Sequence, residues 1–480
     1  MSKPDISSDV LQFIDANVIV TDPDTGKKGT FAMMQMLVNR RELFNDAQNP
    51  LHVDGFVPLV GENGSVTNLN AIHGKLGWHN QQVHGALWQK PSDLLIFYGY
   101  PNSFNSAVNG WDNEKVARDM AQYGLIVLGD GLQTLLASGS HDGSSGASTL
   151  TDSTASWTTD EFVGKKIVNV TDGSTGSITA NTATTITATL SGGTENDWDA
   201  GDEYRVANHA DYANVFKIVP RIKQYNPSAK IFGYVTVNQT LANFEDKADD
   251  WDALGVDGIF MDEAGYDYGT TATNDRDAFN AKVDYVHALS SASTCFANAW
   301  NMDHIIGTAN DPSKPNTTWN PDLEESSLTA DDWYLLESWP VNTDSYTSST
   351  PVGYEAKADW AARGVKAQGH RATYGINLAA SGIINNSNTG GQDLFDFLFV
   401  SAMMFAMDAV GSSDASYASS SSAVDWWTRP DVSKMGALYS LNASVIEDSG
   451  DADVYWRYTE FGRFKLDFSS SAQDATVEKR

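Results

Sequence analysis

Two acidic residues stand where short apolar runs end: Asp262 after Gly258-Ile-Phe-Met, and Glu337 after Trp333-Tyr-Leu-Leu. A pair of carboxylates meeting at one opening is what glycosidic cleavage needs. One carboxylic acid protonates the departing oxygen, the other carboxylate attacks or activates water, and aromatic faces stack on sugar rings. The apolar run beneath Asp262 sets its carboxyl over a low-dielectric floor, which favours the raised pKa of a general acid. The competing structural role for Asp262 is a cap on the chain that follows, a role that suits Glu337 poorly. Glu263 is expected to support its neighbour or face solvent, and Asp257 to be a turn residue. Other strand-like runs end in groups that would complete a sugar site: Tyr98 and Tyr100, Asp130, Tyr234 with Asn238, Asn298 with Trp300, and Trp339. Tyr98, Tyr100 and Trp300 serve equally well as packing at a rim.

These residues converge only if parallel strands carry them. From about residue 90 the chain alternates β-type runs with amphipathic stretches, the pattern of βα units. Strands are expected at 93–100, 125–128, 230–237, 256–262, 294–298, 333–337, 372–376 and 407–410. Helices fall between them, among them one opened by Asp112 and others over 209–225, 354–363 and 392–405. Eight strands in that order define an α/β fold, a (β/α)₈ TIM barrel, whose functional groups stand at the C-terminal strand ends.

The alternation breaks at 138–207, a Ser-, Thr-, Gly- and Asp-rich stretch beginning Ser138-Gly-Ser-His-Asp-Gly-Ser-Ser-Gly146. Its short Thr/Ile/Val runs between Asp172-Gly173 and Gly192-Gly193 turns predict a small all-β domain inserted in a βα loop. Phe162-Val-Gly164, Asp172-Gly-Ser174 and Asn196-Asp-Trp-Asp-Ala-Gly-Asp202 resemble a β module of phage and cell-surface proteins. Trp157 and Trp198 are its core or, alternatively, a glycan platform. Residues 1–90 form a separate N-terminal segment, with a helix expected after Thr30 carrying Phe31, Met34 and Val38. Its expected role is adaptor or assembly, through virion or surface proteins. The barrel is assigned 91–137 and 208–450, and 451–480 a terminal hairpin and tail.

Acidic residues outnumber basic ones 62 to 31, for a net charge of -31. Such a surface repels phosphate backbones, so no nucleic-acid partner is expected. The single cysteine, Cys295, leaves no internal disulfide or multi-Cys metal cluster and is expected to pack as a small hydrophobe. No His-x-His suggests a metallohydrolase, Lys230 starts a strand rather than ending one, and Thr389-Gly-Gly391 is a weak phosphate signal. No metal or cofactor is expected. Met1-Ser-Lys-Pro-Asp5 opens no apolar run and no stretch suits a bilayer, so an extracellular or virion setting without a signal peptide, and no membrane, is expected.

From about 93 to 468 the chain resembles the barrel of spherulin-4-type proteins and endo-α-1,4-polygalactosaminidases (glycoside hydrolase family 114). The resemblance rests on Tyr98-Gly-Tyr-Pro-Asn102, Lys230-Ile-Phe-Gly-Tyr-Val235, Trp251, Gly255-Val-Asp-Gly-Ile-Phe-Met-Asp-Glu263 and Glu337. It implies that Asp262 and Glu337 are the acidic pair and that the substrate is a galactosamine-rich polysaccharide. Where many relatives carry an acid after the third strand, this chain has Val237-Asn238-Gln239. The β insertion and the N-terminal segment lie outside the family pattern. The alternative is a non-catalytic virion or surface adhesion protein built on such a barrel.

Overall fold

The computed structural model describes residues 90–266, 268–269, 271–299, 301–307, 319–342, 345–346, 357–385, 388–413, 426–433, 435, 447–448, 454–459, 462–468 and 474–479, with 18–21, 28–30, 59–61 and 66–67 ahead of them. Eight parallel strands close a barrel: β1 (Ser92–Phe97), β2 (Leu125–Leu128), β3 (Lys230–Thr236), β4 (Gly258–Ala264), β5 (Thr294–Ala299), β6 (Trp333–Leu336), β7 (Asn377–Ile383) and β8 (Ala409–Ser413). The ring closes where Ala409 and Val410 pair with Ser92 and Asp93.

Strands buried on both faces read as continuous apolar runs, and alternate residues point into the barrel. Leu94, Ile96, Leu125, Val127, Phe232, Phe260, Phe296, Trp333 and Leu335 form one interior cluster, with Tyr98 and Tyr234 packed against it. Its aromatic rings meet edge-on, Phe296 lying 5.2 Å from both Phe232 and Phe260. Two residues beyond the last interior side chain of each strand come Tyr98, Tyr234, Asp262, Asn298 and Glu337. The period that fills the core thus also sets the site on top of it.

Helices return the chain to the barrel's other end. They are α1 (Asn113–Met120), α2 (Tyr212–Tyr225), α3 (Leu241–Ala253), α4 (Arg276–Ala288), α5 (Lys357–Tyr374) and α6 (Gly391–Met404). Asp112, Thr240 and Asp275 cap α1, α3 and α4 by accepting backbone N–H bonds. Four sequence expectations are corrected. The helix set at 354–363 runs on to Tyr374, and Gly375 ends it with φ 78° and an N–H bond to the Arg371 carbonyl. The seventh strand therefore starts at Asn377 rather than Ala372, and the eighth moves on to 409–413. Gly391 is also no phosphate loop, because a Cβ there would lie 2.2 Å from the Trp427 ring; the glycine lets α6 and that indole close up.

The insertion is an antiparallel six-stranded sheet in the order Leu135–Ser140, Glu203–Ala207, Lys166–Asn169, Thr175–Asn181, Thr185–Ala188, Thr149–Thr151. Trp198 is fully buried in its core, and the half-buried Trp157 packs edge-on against Phe162 and Tyr204. Both tryptophans are therefore core of the module, not a sugar platform. The Leu135 N–H bonds the Asp250 carboxylate, and the Arg205 guanidinium bonds the Ala253 carbonyl, tying the module to α3.

The chain divides into two compact units, one of them Met1–Gln89 with Met435–Ser440 and Tyr458–Phe461. Strands Val18–Thr21, Lys28–Thr30, Leu59–Gly61 and Val66–Thr67 form a sheet in the first. Thr30 ends a strand there, and the helix expected beyond it lies outside the described residues. The C-terminal hairpin is part of a four-stranded sheet, Glu447–Asp448, Val454–Thr459, Gly462–Asp467 and Asp474–Lys479. Among the described residues no helix is long and apolar enough to cross a membrane.

Candidate active site

Asp262 and Glu337 face a common partner. The Asn298 side-chain nitrogen donates to Asp262 Oδ1 at 2.8 Å and to Glu337 Oε2 at 2.7 Å. Those two oxygens can be no farther apart than the two bonds laid end to end, about 5.5 Å. An amide nitrogen has two hydrogens, and here each carboxylate takes one. Asp262 also accepts from the Tyr234 hydroxyl and from the Glu263 backbone N–H. Burial pushes the Asp262 carboxyl above its ordinary value, and these donors oppose the shift by favouring the anion. Burial and the adjacent Asp262 carboxylate push the Tyr234 phenol far up, so Tyr234 stays a donor.

The backbone turns sharply just past each acid. Glu263 has φ 52° and Ser338 φ 53°, a left-handed conformation that costs a non-glycine residue roughly 1–3 kcal/mol. Around Glu263 the strain is held by four bonds. Thr236 Oγ1 donates to its carboxylate, the Asn274 amide donates to its carbonyl and to that of Gly265, and the Val237 N–H donates to the Asp262 carbonyl. The buried Lys282 ammonium then holds the Val237 and Thr273 carbonyls from below, and burial lowers its pKa to about 8. Past Glu337, Arg363 donates to its backbone carbonyl. Thr236, Asn274, Lys282 and Arg363 carry no motif, and the sequence reading missed all four.

The remaining expected residues are distributed unevenly. Tyr98 lies edge-on to Tyr234 at 5.4 Å and backs it. Tyr100 is exposed at the rim, edge-on to His209 at 4.7 Å. Asp130 falls outside the inward register, stays exposed and pairs with Lys247 of α3 at 3.0 Å. Trp339 is corrected outright as a sugar-stacking residue. It is fully buried against Phe405, and its indole N–H bonds the Trp360 carbonyl, because the chain has left the strand register at Ser338. Trp300 lies outside the described residues. The sequence reading also missed Trp111, 60% exposed in the loop before α1 with φ 63°.

At the opposite strand ends His287, Cys295 and Asp332 bring possible metal-ligand atoms within 4.8 Å of one another. Their bonding is that of a structural knot. The Asp332 carboxylate accepts from the Cys295 and Thr329 backbone N–H groups and from Thr329 Oγ1, and meets His287 Nε2 at 3.0 Å. Burial holds the Cys295 thiol well above its ordinary value, so it stays protonated and packs as an apolar group.

The rim carries one pH-sensitive joint. Asp211, buried before α2, accepts from the Asn102 backbone N–H and the Asn214 amide, and burial pushes it up to about 6. The folded state then binds this proton more tightly than the unfolded chain. Its stabilising contribution is complete below pH 4 and lost as pH rises through about 6. Two pKa units correspond to roughly 3 kcal/mol. Asp211→Asn gives up one hydrogen bond but no buried charge, so it is expected to stabilise by about 1 kcal/mol at pH 8. Urea unfolding of both proteins from pH 4 to 8 should show the gap opening with pH. A gap independent of pH would contradict the assignment.

No family model and no curated protein matches the chain. Among solved structures it is similar to the catalytic domain of the major endoglucanase from Xanthomonas campestris pv. campestris. That likeness has a TM-score of 0.29 and 11% identity, over 42% of this chain and 65% of that one, just under two thirds of its length. The barrel stands on its own strand pairing, independent of this likeness.

Proposed function

We propose that the chain is a glycoside hydrolase acting on an exopolysaccharide or capsule glycan, with Asp262 and Glu337 as the reacting pair. The observation that carries the reading is the Asn298 amide shared by both carboxylates above an apolar barrel core. Retaining enzymes keep their carboxyl groups about 5–5.5 Å apart, whereas inverting ones need about 6.5–9.5 Å to admit water. The shared nitrogen favours the shorter spacing. Three donors at Asp262 favour its anion against the burial that raises its pKa, and on this reading it is the nucleophile rather than the general acid that the apolar run beneath it suggested. In the first step its oxygen bonds the anomeric carbon as the glycosidic C–O bond breaks, and Glu337 gives its proton to the leaving oxygen. In the second, Glu337 takes a proton from water, whose oxygen displaces Asp262.

Asp262 and Glu263 both act electrostatically on Tyr234, and Glu337 stands across the Asn298 amide, so the mouth is acidic and suits a sugar bearing an ammonium group. With the resemblance noted above, that favours partly deacetylated galactosamine polymers. The test is to incubate the full chain with such a polymer, assay reducing ends, and read the first-formed anomer by proton NMR. New ends with the polymer's own anomeric configuration are expected. Inversion would overturn the two-step scheme, and a polymer held but never cut would favour a non-catalytic adhesion protein on a glycosidase-like barrel.

A further inference from the structure

The inserted module creates a concavity the barrel alone would lack. A cleft of about 710 Å³ opens between its Asp172-Gly173 and Gly192–Thr194 turns and the outer surface of α2 and the end of α3. Ligand sites of small molecules span roughly 300–1,000 Å³, and this one lies against helix surfaces, away from the strand ends that carry Asp262 and Glu337.

Its walls select by charge. The Arg221 guanidinium is engaged by the Glu114 carboxylate at 2.9 Å and by the Lys217 carbonyl. The Asp252 carboxylate accepts from Ser290 Oγ and from the Ser291 and Ala292 N–H groups. That leaves the Lys217 ammonium, with one long bond of 3.3 Å to the Gly192 carbonyl and the Asp172 carboxylate, itself bonded by the Ser174 N–H, acting on it from the facing turn. A polyanion meets Asp172 and a polycation meets Lys217, so neither gains on entry. The remaining groups are a hydrogen-bonding ammonium, the exposed Ser291, the exposed Thr194 with a long 3.4 Å bond from its hydroxyl to the Asp172 carbonyl, and the apolar surfaces of Phe216 and Pro220. Hydroxyls on one side and C–H on the other are what a pyranose ring presents.

We infer that this cleft is a second carbohydrate-binding site, taking one to three neutral pyranose units of a polysaccharide and holding the chain while the barrel mouth works elsewhere on it. The glycines explain themselves on this reading. Gly173 and Gly192, at φ 78° and 76°, turn the two walls without adding side chains to the opening. The site stands whether or not the mouth cleaves.

The experiment uses the full chain bearing Glu337→Gln, so that no bound polymer is consumed. Binding is measured on an array of neutral, amino and uronic-acid polysaccharides. At least one neutral polymer is expected to bind. Lys217→Ala and, separately, Thr194→Trp, which fills the cleft, should each weaken that binding by about tenfold or more. In the otherwise wild-type chain both should leave cleavage of short oligosaccharides unchanged. The inference is overturned if no neutral polymer binds, if both cleft variants bind as the parent does, or if only charged polymers respond. Failure of cleavage in the wild type, with cleft-dependent binding intact, would sink the hydrolase reading and leave this one standing.

Discussion

Glu337→Gln is expected to lower the turnover of a polysaccharide substrate by about 10³-fold or more, and Asp262→Asn by at least as much. Each exchange keeps shape and removes the one property the chemistry needs: a transferable proton at 337, an anionic nucleophile at 262. A positioned acid or base contributes roughly 10²–10⁴ in rate, and groups that act as a unit fail together rather than additively, so the double variant should be little worse than either single one. The folds should survive. Asn298 can bond an amide oxygen as it bonds a carboxylate, Glu337→Gln exchanges one neutral group for another, and Asp262→Asn removes a buried charge. Thermal midpoints equal to or above wild type are therefore expected. The two roles separate with azide. In Asp262→Gly a small anion can enter the vacated space and attack the anomeric carbon, giving a glycosyl azide of inverted configuration. In Glu337→Gly azide attacks the glycosyl intermediate and gives the retained one. A Glu337→Gln protein with a tenth or more of wild-type turnover would remove Glu337 from the chemistry.

The barrel and its acids were legible for the same reason. A strand buried on both faces must be apolar throughout, so the polar residue that ends it is conspicuous, and Asp262, Asn298 and Glu337 all follow such runs. Their convergence follows from parallel pairing, which brings the same ends of β4, β5 and β6 side by side. The sequence could not show that Asn298 bridges the acids, because a distance between strands depends on register. It misplaced β7 because the Ala-rich, glycine-bearing α5 has little apolar periodicity, whereas Ala372-Thr-Tyr374 imitates a strand. Trp339 failed for a local reason. The left-handed turn at Ser338 moves the next residue out of the strand's alternation and into the packing with Phe405. Asp130 failed by one step of the same alternation. Gly129 occupies the inward position of β2, where a Cβ would stand 2.8 Å from the Tyr98 Cα, and Asp130 is turned toward Lys247.

That dependence of the site on close backbone packing is sharpest at Gly233. A methyl group there would fall 2.1 to 2.4 Å from three ring atoms of Trp251, a separation no side chain tolerates, so the indole or the strand must move. Trp251 has nowhere to go. It is fully buried between α3 and the barrel, and its N–H is bonded to the Tyr234 carbonyl at 3.0 Å. Overpacking a core by a methylene typically costs about 1–3 kcal/mol, and a clash with a rigid, hydrogen-bonded ring belongs at or above the top of that range. Gly233→Ala is therefore expected to destabilise by roughly 3 kcal/mol or more, visible as a lower urea midpoint. Whatever remains folded should be impaired as well, because any shift of Trp251 pulls on Tyr234, whose hydroxyl holds Asp262. The paired variant Gly233→Ala with Trp251→Phe makes room for the methyl and tests this coupling. It should recover much of the lost stability, and should recover turnover only as far as the phenol again reaches the Asp262 carboxylate. Gly233→Ala with wild-type stability would show that the approach of ring to strand is not close in solution. Lost stability with turnover per folded molecule unchanged would show that β3 does not transmit the strain to Asp262.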